Sequence, residues 1–413
     1  MKNRLLLYSD DCNLGGSEML VTNIIKNKSI NDLFEVLFVY RYSKSYQQNI
    51  EALFGEAERK NFFPIKLLSN DTLFNVIDSK DWHILGRVIK KIFYLLSKIG
   101  IYSFINKILL RRCLSTLAPN LIHINNGGYP AAETCLDVAE VANNLGIKVL
   151  FQINNIPTSH KRARDKKIKK SVNGFITASR NTAKLIKEKR DIITDDNIFI
   201  LPNTVKQYKP TINALEQRGV MGISADSIVI IEVALLLSYK GQLELIKALE
   251  QIKSIQSELY DKIVIVLVGS GNNESTINQY VVEHGLTDKV LFLGYRHDYI
   301  NLINMSDILV LPSITNEDMP LSILNAMSLS KPTIGTNVGG IPEEIEHMKS
   351  GIVIDATQEF LPDNICNAIL KILESKNEYG NYAYEKYQRE FSEDAHYQKL
   401  IEIYNIILTH NIK

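Results

Sequence analysis

The stretch Pro312-Ser313-Ile314-Thr315-Asn316-Glu317-Asp318-Met319-Pro320, followed by an apolar helical pattern and then Gly339-Gly340-Ile341-Pro342-Glu343, carries the residue types needed to hold an anion. A buried run, Ile308-Leu309-Val310-Leu311, delivers the chain to a turn. Pro320 stands where the first residue of a helix would be, because its fixed φ and missing N–H suit that position. The unpaired amides expected around Leu321 and Ser322, with the positive end of the helix dipole, suit a phosphate or pyrophosphate. Glu317 adds a carboxylate that accepts hydrogen bonds from hydroxyls. Phosphate donors beside a hydroxyl acceptor describe a pocket for a nucleotide sugar.

Three other short motifs stand where a ligand meets backbone. Leu14-Gly15-Gly16-Ser17-Glu18 follows a first apolar run and opens a helical pattern, so Gly15 and Gly16 either let backbone approach a ligand or form a tight structural turn. Val268-Gly269-Ser270-Gly271 closes a run and precedes a helical stretch, but it lacks the full dinucleotide fingerprint, which argues against NAD. Lys240-Gly241 follows the run from Ile228 to Leu236 at the end where open α/β sheets bind ligands. Its lysine either touches phosphate or caps a solvated loop.

The elements that position these motifs read as alternating β-rich runs and amphipathic segments, the pattern of βαβ units, so the fold class is α/β. In the first half the runs are Leu5 to Tyr8, Val36 to Tyr40, Leu121 to Ile124, Val149 to Gln152 and Gly174 to Thr177, with a short run from Ile198 to Leu201. The second half repeats the alternation with Ser227 to Val233, Ile263 to Val268, Val290 to Leu293 and Ile308 to Leu311. The polar segment from Lys206 to Asp226 reads as a linker. The expected domains are therefore residues 1–205 and 206–384.

At 413 residues the chain exceeds one ordinary core. Its 45% hydrophobic and 23% charged residues are those of a globular protein, and no window is apolar enough to span a membrane. The run at Leu5 is too short for a secretory leader and reads as a first strand. Cys12, Cys113, Cys135 and Cys366 form neither a disulfide framework nor a zinc motif, so a cytoplasmic location is expected. The formal net charge of +1 hides an asymmetry: 30 basic face 19 acidic side chains up to Val205, and 17 face 27 beyond it. That balance argues for an anionic partner of the N-terminal half and against a uniform nucleic-acid coat.

From Trp82 to Leu117, apolar residues interleave with Arg87, Lys90, Lys91, Lys98, Lys107, Arg111 and Arg112, and no acidic residue occurs. Such a helix pair either lies in an anionic membrane interface or forms a buried hairpin whose lysines snorkel into water. The run from Lys161 to Lys170 is either a solvated face or a holder of phosphate head groups or a pyrophosphate-linked acceptor.

In this order the motifs resemble the retaining glycosyltransferases of the GT4 family, which have the GT-B architecture of two Rossmann-like domains facing a cleft. The resemblance covers nearly the whole chain and rests on Gly15-Gly16, Pro202-Asn203, Lys240-Gly241, Val268 to Gly271, Phe292-Leu293-Gly294-Tyr295-Arg296, Ser306-Asp307, Leu311-Pro312-Ser313, Glu317 through Ala326-Met327, and Gly339 to Glu343. It implies a donor held mainly by the C-terminal domain, an acceptor held mainly by the N-terminal one, and no requirement for a metal or other cofactor. By position it implies that Glu317 binds donor-sugar hydroxyls and Lys240 neutralises the leaving diphosphate. Tyr295 and Arg296 present backbone to the base, and Gly15 and Gly16 let a loop close over the phosphates. It also implies that the last helices, from about 385 to 413, cross back to the N-terminal domain.

Three positions depart from the family pattern. Asn325 replaces the second acidic residue, eight positions after Glu317, that contacts ribose. Leu235 replaces an arginine on the diphosphate, a loss that Ser238, the helix at Pro320 or a basic N-terminal residue would offset. Asn125 replaces a histidine after an N-terminal strand, with His123 two residues earlier on the same strand face as the candidate substitute on the acceptor or sugar side. The resulting expectation is a retaining transferase, peripheral on the cytoplasmic face of the membrane. It moves a sugar from a nucleotide diphosphate to a lipid-linked glycan of a bacterial surface polysaccharide. The alternatives are a weakened nucleotide-sugar-binding protein of the same fold and a GT-B epimerase.

Overall fold

The computed structural model describes residues 2–10, 16–78, 83–127, 129–130, 132–157, 163–315 and 317–409. Gly15, Cys12, Trp82, Lys161, Arg162 and Asn316 lie outside them. The chain divides into two units. Unit 1 comprises residues 1–177, 182–201 and 397–413, and unit 2 comprises 178–181 and 202–396. The boundary falls at Leu201/Pro202, four residues before the expected one, and the return to unit 1 starts at Tyr397 rather than near 385. The packing explains the later return. Tyr397, Leu400, Ile403, Tyr404 and Ile407 are buried in the unit 1 core, whereas Tyr387 and Phe391 are buried in that of unit 2.

Unit 1 contains β1 (Asn3–Ser9), β2 (Phe34–Arg41), β3 (Phe62–Ile65), β4 (Leu121–Asn126), β5 (Lys148–Ile153), β6 (Gly174–Thr177) and β7 (Ile198–Ile200). Unit 2 contains β8 (Ile228–Val233), β9 (Ile263–Val268), β10 (Val290–Phe292), β11 (Ile308–Leu311), β12 (Thr333–Thr336) and β13 (Gly351–Ile354). The strands pair in parallel in the orders β3-β2-β1-β4-β5-β6-β7 and β10-β9-β8-β11-β12-β13. Helices cover both faces of such sheets, which is why the strands are near-continuous apolar runs.

Three strands are absent from the sequence expectation: β3, β12 and β13. β3 carries Pro64, which a sheet tolerates at its edge, and β12 is only Thr333-Ile334-Gly335-Thr336, too short and too polar to stand out. The expected linker is also not featureless. A helix, Ala214–Val220, forms inside it, and the Asn213 side chain caps it by accepting the Glu216 amide.

In each sheet the strand order reverses once, between β1 and β4 in unit 1 and between β8 and β11 in unit 2. Ligands of open α/β sheets bind beyond the carboxyl ends of the strands at such a reversal. Unit 2 is built firmly around its own. The helix Gln242–Ile255 buries Leu245, Ile246, Leu249 and Ile252, each contributing about 1.5–3 kcal/mol of apolar burial.

Candidate active site

Beyond β8 the chain is held by its neighbours through backbone. Ala234 N–H donates to Val268 O at 3.0 Å, Leu236 N–H to Ser270 O at 3.1 Å, and Gly269 N–H to Gly294 O at 2.8 Å. Gly269 has φ +143°, and a Cβ there would stand 1.9 Å from Ala234 O, so the glycine lets the loops after β8 and β9 touch. The loops after β8 and β11 are joined in the same way, by Ile314 N–H donating to Tyr239 O at 2.7 Å.

These backbone ties bring Lys240 to Glu317. The Lys240 ammonium donates to Glu317 Oε1, and Ser313 Oγ donates to the same oxygen at 2.6 Å. Thr336 Oγ1 donates to Ser313 O at 2.6 Å and fixes that turn. Glu317 is only 6% exposed. Its backbone rests against Gly339, which has φ +61° and where a Cβ would lie 1.8 Å from Glu317 O. Asn203 Nδ2 donates to Met319 O at 2.9 Å and closes the turn from below. The Lys240, Gly269, Ser313 to Glu317 and Gly339 motifs of the sequence reading are therefore brought together at the β8/β11 reversal.

Pro320 is the N-cap rather than the first helical residue: at ψ 122° it is extended, and the helix runs from Leu321 to Ser328. Having no side-chain donor or acceptor, Pro320 makes no cap hydrogen bond. Leu321 is half-exposed at the helix start, with Ser322 beside it. Ser238 is exposed on the Lys240 loop, and the Leu235 side chain is exposed as well. β8 ends at Val233, so the expected strand to Leu236 is shortened by the loop contacts at Ala234 and Leu236.

Asn325 lies one turn into that helix and is 3% exposed. Its Nδ2 donates to Leu321 O at 2.8 Å, and its Oδ1 is buried without a partner. The residue expected to donate and accept toward a ribose thus has one of its two amide hydrogens spent on Leu321 O. The Arg296 guanidinium is bound bidentately to Asp298 at 2.7 and 2.6 Å. Tyr295 is 70% exposed and stacks edge-on against His297.

In unit 1, Gly16 begins the helix Gly16–Lys26 after the undescribed Gly15. His123 is not available to a substrate: it is 1% exposed, with Nδ1 2.7 Å from Tyr404 Oη and Nε2 2.9 Å from Gln152 Oε1. It is a core histidine that bridges β4, β5 and the last helix, because the inward face of β4 is covered by Tyr404. Asn125 lies at the carboxyl end of β4, is also buried, and accepts from Asn154 Nδ2 at 2.8 Å.

Two buried carboxyls of unit 2 escaped the sequence reading. Glu232, inside β8, shares Oε1 with Gln242 Nε2 at 2.8 Å and leaves Oε2 unpartnered. Burial holds its carboxyl well above the ordinary carboxylate range, with the Lys240 charge opposing and the Glu317 charge adding. The signal in the sequence was an acid inside an apolar run. Glu344 is fully buried with both oxygens unpartnered, and burial raises it far above the usual range, helped by Glu317 and Asp318. A carboxyl raised on folding stabilises the protein below its unfolded pKa of about 4.3, and that stability is lost as pH rises through the folded value. Glu344→Gln is therefore expected to flatten the loss of stability between pH 5.5 and 8.5. Urea unfolding at the two pH values checks it.

Residues 213–389 match the family described as glycosyl transferases group 1. Over 184 residues the chain is 31% identical to UDP-Gal:alpha-D-GlcNAc-diphosphoundecaprenol alpha-1,3-galactosyltransferase of Escherichia coli, covering 43% of this chain and 46% of the relative. Over 174 residues it is 32% identical to N-acetyl-alpha-D-glucosaminyl L-malate synthase of Bacillus anthracis, covering 42% and 43%. The match thus spans less than half the length of these curated relatives. Among solved structures, Anabaena HepE in complex with UDP superposes with a TM-score of 0.71 at 16% identity, covering 97% of this chain and 99% of that one. A glycosyltransferase from Rickettsia africae superposes with a TM-score of 0.71 at 17% identity, covering 99% and 100%. These likenesses show the fold, which is GT-B.

Proposed function

Through residues 213–389 the chain belongs to the glycosyl transferases group 1 family, and on that premise we propose that it is a retaining glycosyltransferase. It moves a sugar from a nucleoside diphosphate to a lipid-linked glycan acceptor of bacterial surface polysaccharide, without a metal. The observation that carries this reading is the Lys240–Glu317–Ser313 cluster at the strand reversal of unit 2, with Glu317 four residues before an uncapped helix start.

The chemistry follows from that cluster. At rest, Glu317 neutralises Lys240. A bound diphosphate competes for the ammonium and for the amides at Leu321 and Ser322, which frees the carboxylate to accept hydrogen bonds from the donor sugar. As the glycosyl bond stretches, charge gathers on the β-phosphate, where Lys240 and the helix start stabilise it. The acceptor hydroxyl attacks from the same face and its proton passes to the departing phosphate oxygen. Nucleotide release from a panel of UDP-, GDP- and other NDP-sugars, incubated with membrane extract, tests the reading. Extract-dependent release supports it, and tight nucleotide binding without turnover on any donor overturns it in favour of a binding relic.

The helices His83–Lys98 and Ile101–Leu117 support a lipid-side acceptor. Leu85, Val88, Ile92, Leu95 and Ile99 recur at helical spacing and are all at least half-exposed, as is Phe104. Arg87, Lys91, Lys98, Arg111 and Arg112 are exposed around them. These exposed apolar residues support the interfacial reading of the pair over the buried hairpin for this face. Among the described residues no helix is long and apolar enough to cross a membrane. Vesicles containing anionic lipid are expected to carry the protein upward in a flotation gradient, less so in high salt. Leu95→Asp combined with Phe104→Asp is expected to leave it at the bottom.

A further inference from the structure

Glu232 lies inside β8, in register with Leu267 of β9, and is 1% exposed. Its side chain is bonded to that of Gln242, the equally buried first residue of the helix Gln242–Ile255. The loop that carries Lys240 runs between Val233, where β8 ends, and Gln242. The Glu232–Gln242 contact therefore ties the entry of that loop to its exit. Gln242 Nε2 also donates to Leu235 O at 3.2 Å, so one side-chain amide holds both the strand and the first turn of the loop.

The bonding of this pair is incomplete in a specific way. Gln242 uses its amide hydrogens on Glu232 Oε1 and Leu235 O, yet Gln242 Oε1 and Glu232 Oε2 are both buried without a partner. A carboxylate offers acceptors only, so an ionised Glu232 leaves both oxygens unmatched. A neutral carboxyl carries one O–H, which makes acid and amide complementary: N–H to acid oxygen one way, O–H to amide oxygen the other. Buried polar atoms are almost always paired, which favours the neutral form.

The surrounding charges agree. Burial weighs most against ionisation, Lys240 favours it, and Glu317 and Glu244 oppose it. The one cation in that set is already engaged, since the Lys240 ammonium is bonded to Glu317. A charged Glu232 would set a second carboxylate against Lys240, in competition with a diphosphate.

From this we infer that Glu232 is a positioning residue of the transfer reaction, a neutral acid that closes the base of the Lys240 loop through Gln242 and adds no charge there. The inference rests on the transferase reading, because Glu232 acts only through Lys240. Glutamine at this position reproduces the pairing, since a second amide also presents one donor and one acceptor, whereas leucine removes both.

Two measurements on the full chain test it. Carbon NMR of protein isotope-labelled at its glutamate carboxyls identifies the Glu232 resonance by its loss in Glu232→Gln, and that resonance is expected at the position of a protonated acid at neutral pH. In nucleotide-release kinetics, Glu232→Gln is expected to turn over like the wild type. Glu232→Leu is expected to bind nucleotide but to lose about ten- to 100-fold in kcat with little change in the donor KM, as a displaced Lys240 would give. A Glu232 resonance at the ionised position, Glu232→Gln as slow as Glu232→Leu, or Glu232→Leu as fast as the wild type would each overturn the inference while leaving the donor site standing. If Glu232→Leu does not fold, the resonance and the activity of Glu232→Gln decide. A wild type that releases nucleotide from no donor would instead strike the transferase reading, and the positioning role with it.

Discussion

Lys240→Ala is expected to lower turnover at least ~100-fold, the low end for removing a group that stabilises charge developing in a transition state. The same substitution is also expected to destabilise the protein, because Glu317 then sits 6% exposed with Ser313 as its remaining side-chain partner among the described residues. Breaking one side of a buried ion pair costs about 3–5 kcal/mol, whereas removing both sides can be nearly neutral. The double variant Lys240→Ala with Glu317→Ala should therefore recover most of the stability and none of the turnover. Urea midpoints read beside nucleotide release separate the two effects. Wild-type turnover in either single variant would sink the assignment of this pair to the chemistry. Parallel recovery of stability and turnover in the double variant would reduce the pair to scaffolding.

Gly339→Ala is expected to have the second-largest effect, although the residue touches no substrate. Its φ of +61° is a left-handed conformation that an L side chain adopts at a cost of about 1–2 kcal/mol. The new Cβ would also lie 1.8 Å from Glu317 O, so the turn that carries the carboxylate must move. A misplacement of about 1 Å at a reacting centre costs on the order of 100-fold in rate. The expected signature is a variant that stays folded at 25 °C, binds nucleotide and turns over slowly. A crystal structure showing Glu317 unmoved with turnover preserved would mean that Gly339 serves only the backbone.

The pair and its glycine show what could be read in advance. Lys240, Glu317, Gly269 and Gly339 were legible because each sits at a discontinuity of pattern, where an apolar run stops and a glycine, proline or lone charge follows. The structure gathers them at the β8/β11 reversal. Pro320 was placed one position too far into its helix, since proline's φ suits both the cap and the first turn and only ψ separates them. His123 was misjudged for a different reason. Alternation along β4 correctly put it on the face of Asn125, but nothing local says that Tyr404, 281 residues away, covers that face.

The linear chain by itself determined the α/β class, the two repeats of strand and helix, the family pattern and the loops on which the chemistry falls. Each depends on interactions between residues a few positions apart: strand alternation, helix starts, glycine φ. Tertiary structure alone decided that Glu317 is held by Lys240 and that His123 is sealed in a core. Among the described residues it also lines one cavity inside the basic half of the chain with five acidic and five basic side chains. Net charge is a sum over residues, whereas a ligand meets the charges that the fold leaves unpaired. That pairing is set by contacts between elements far apart in sequence, which no local pattern records.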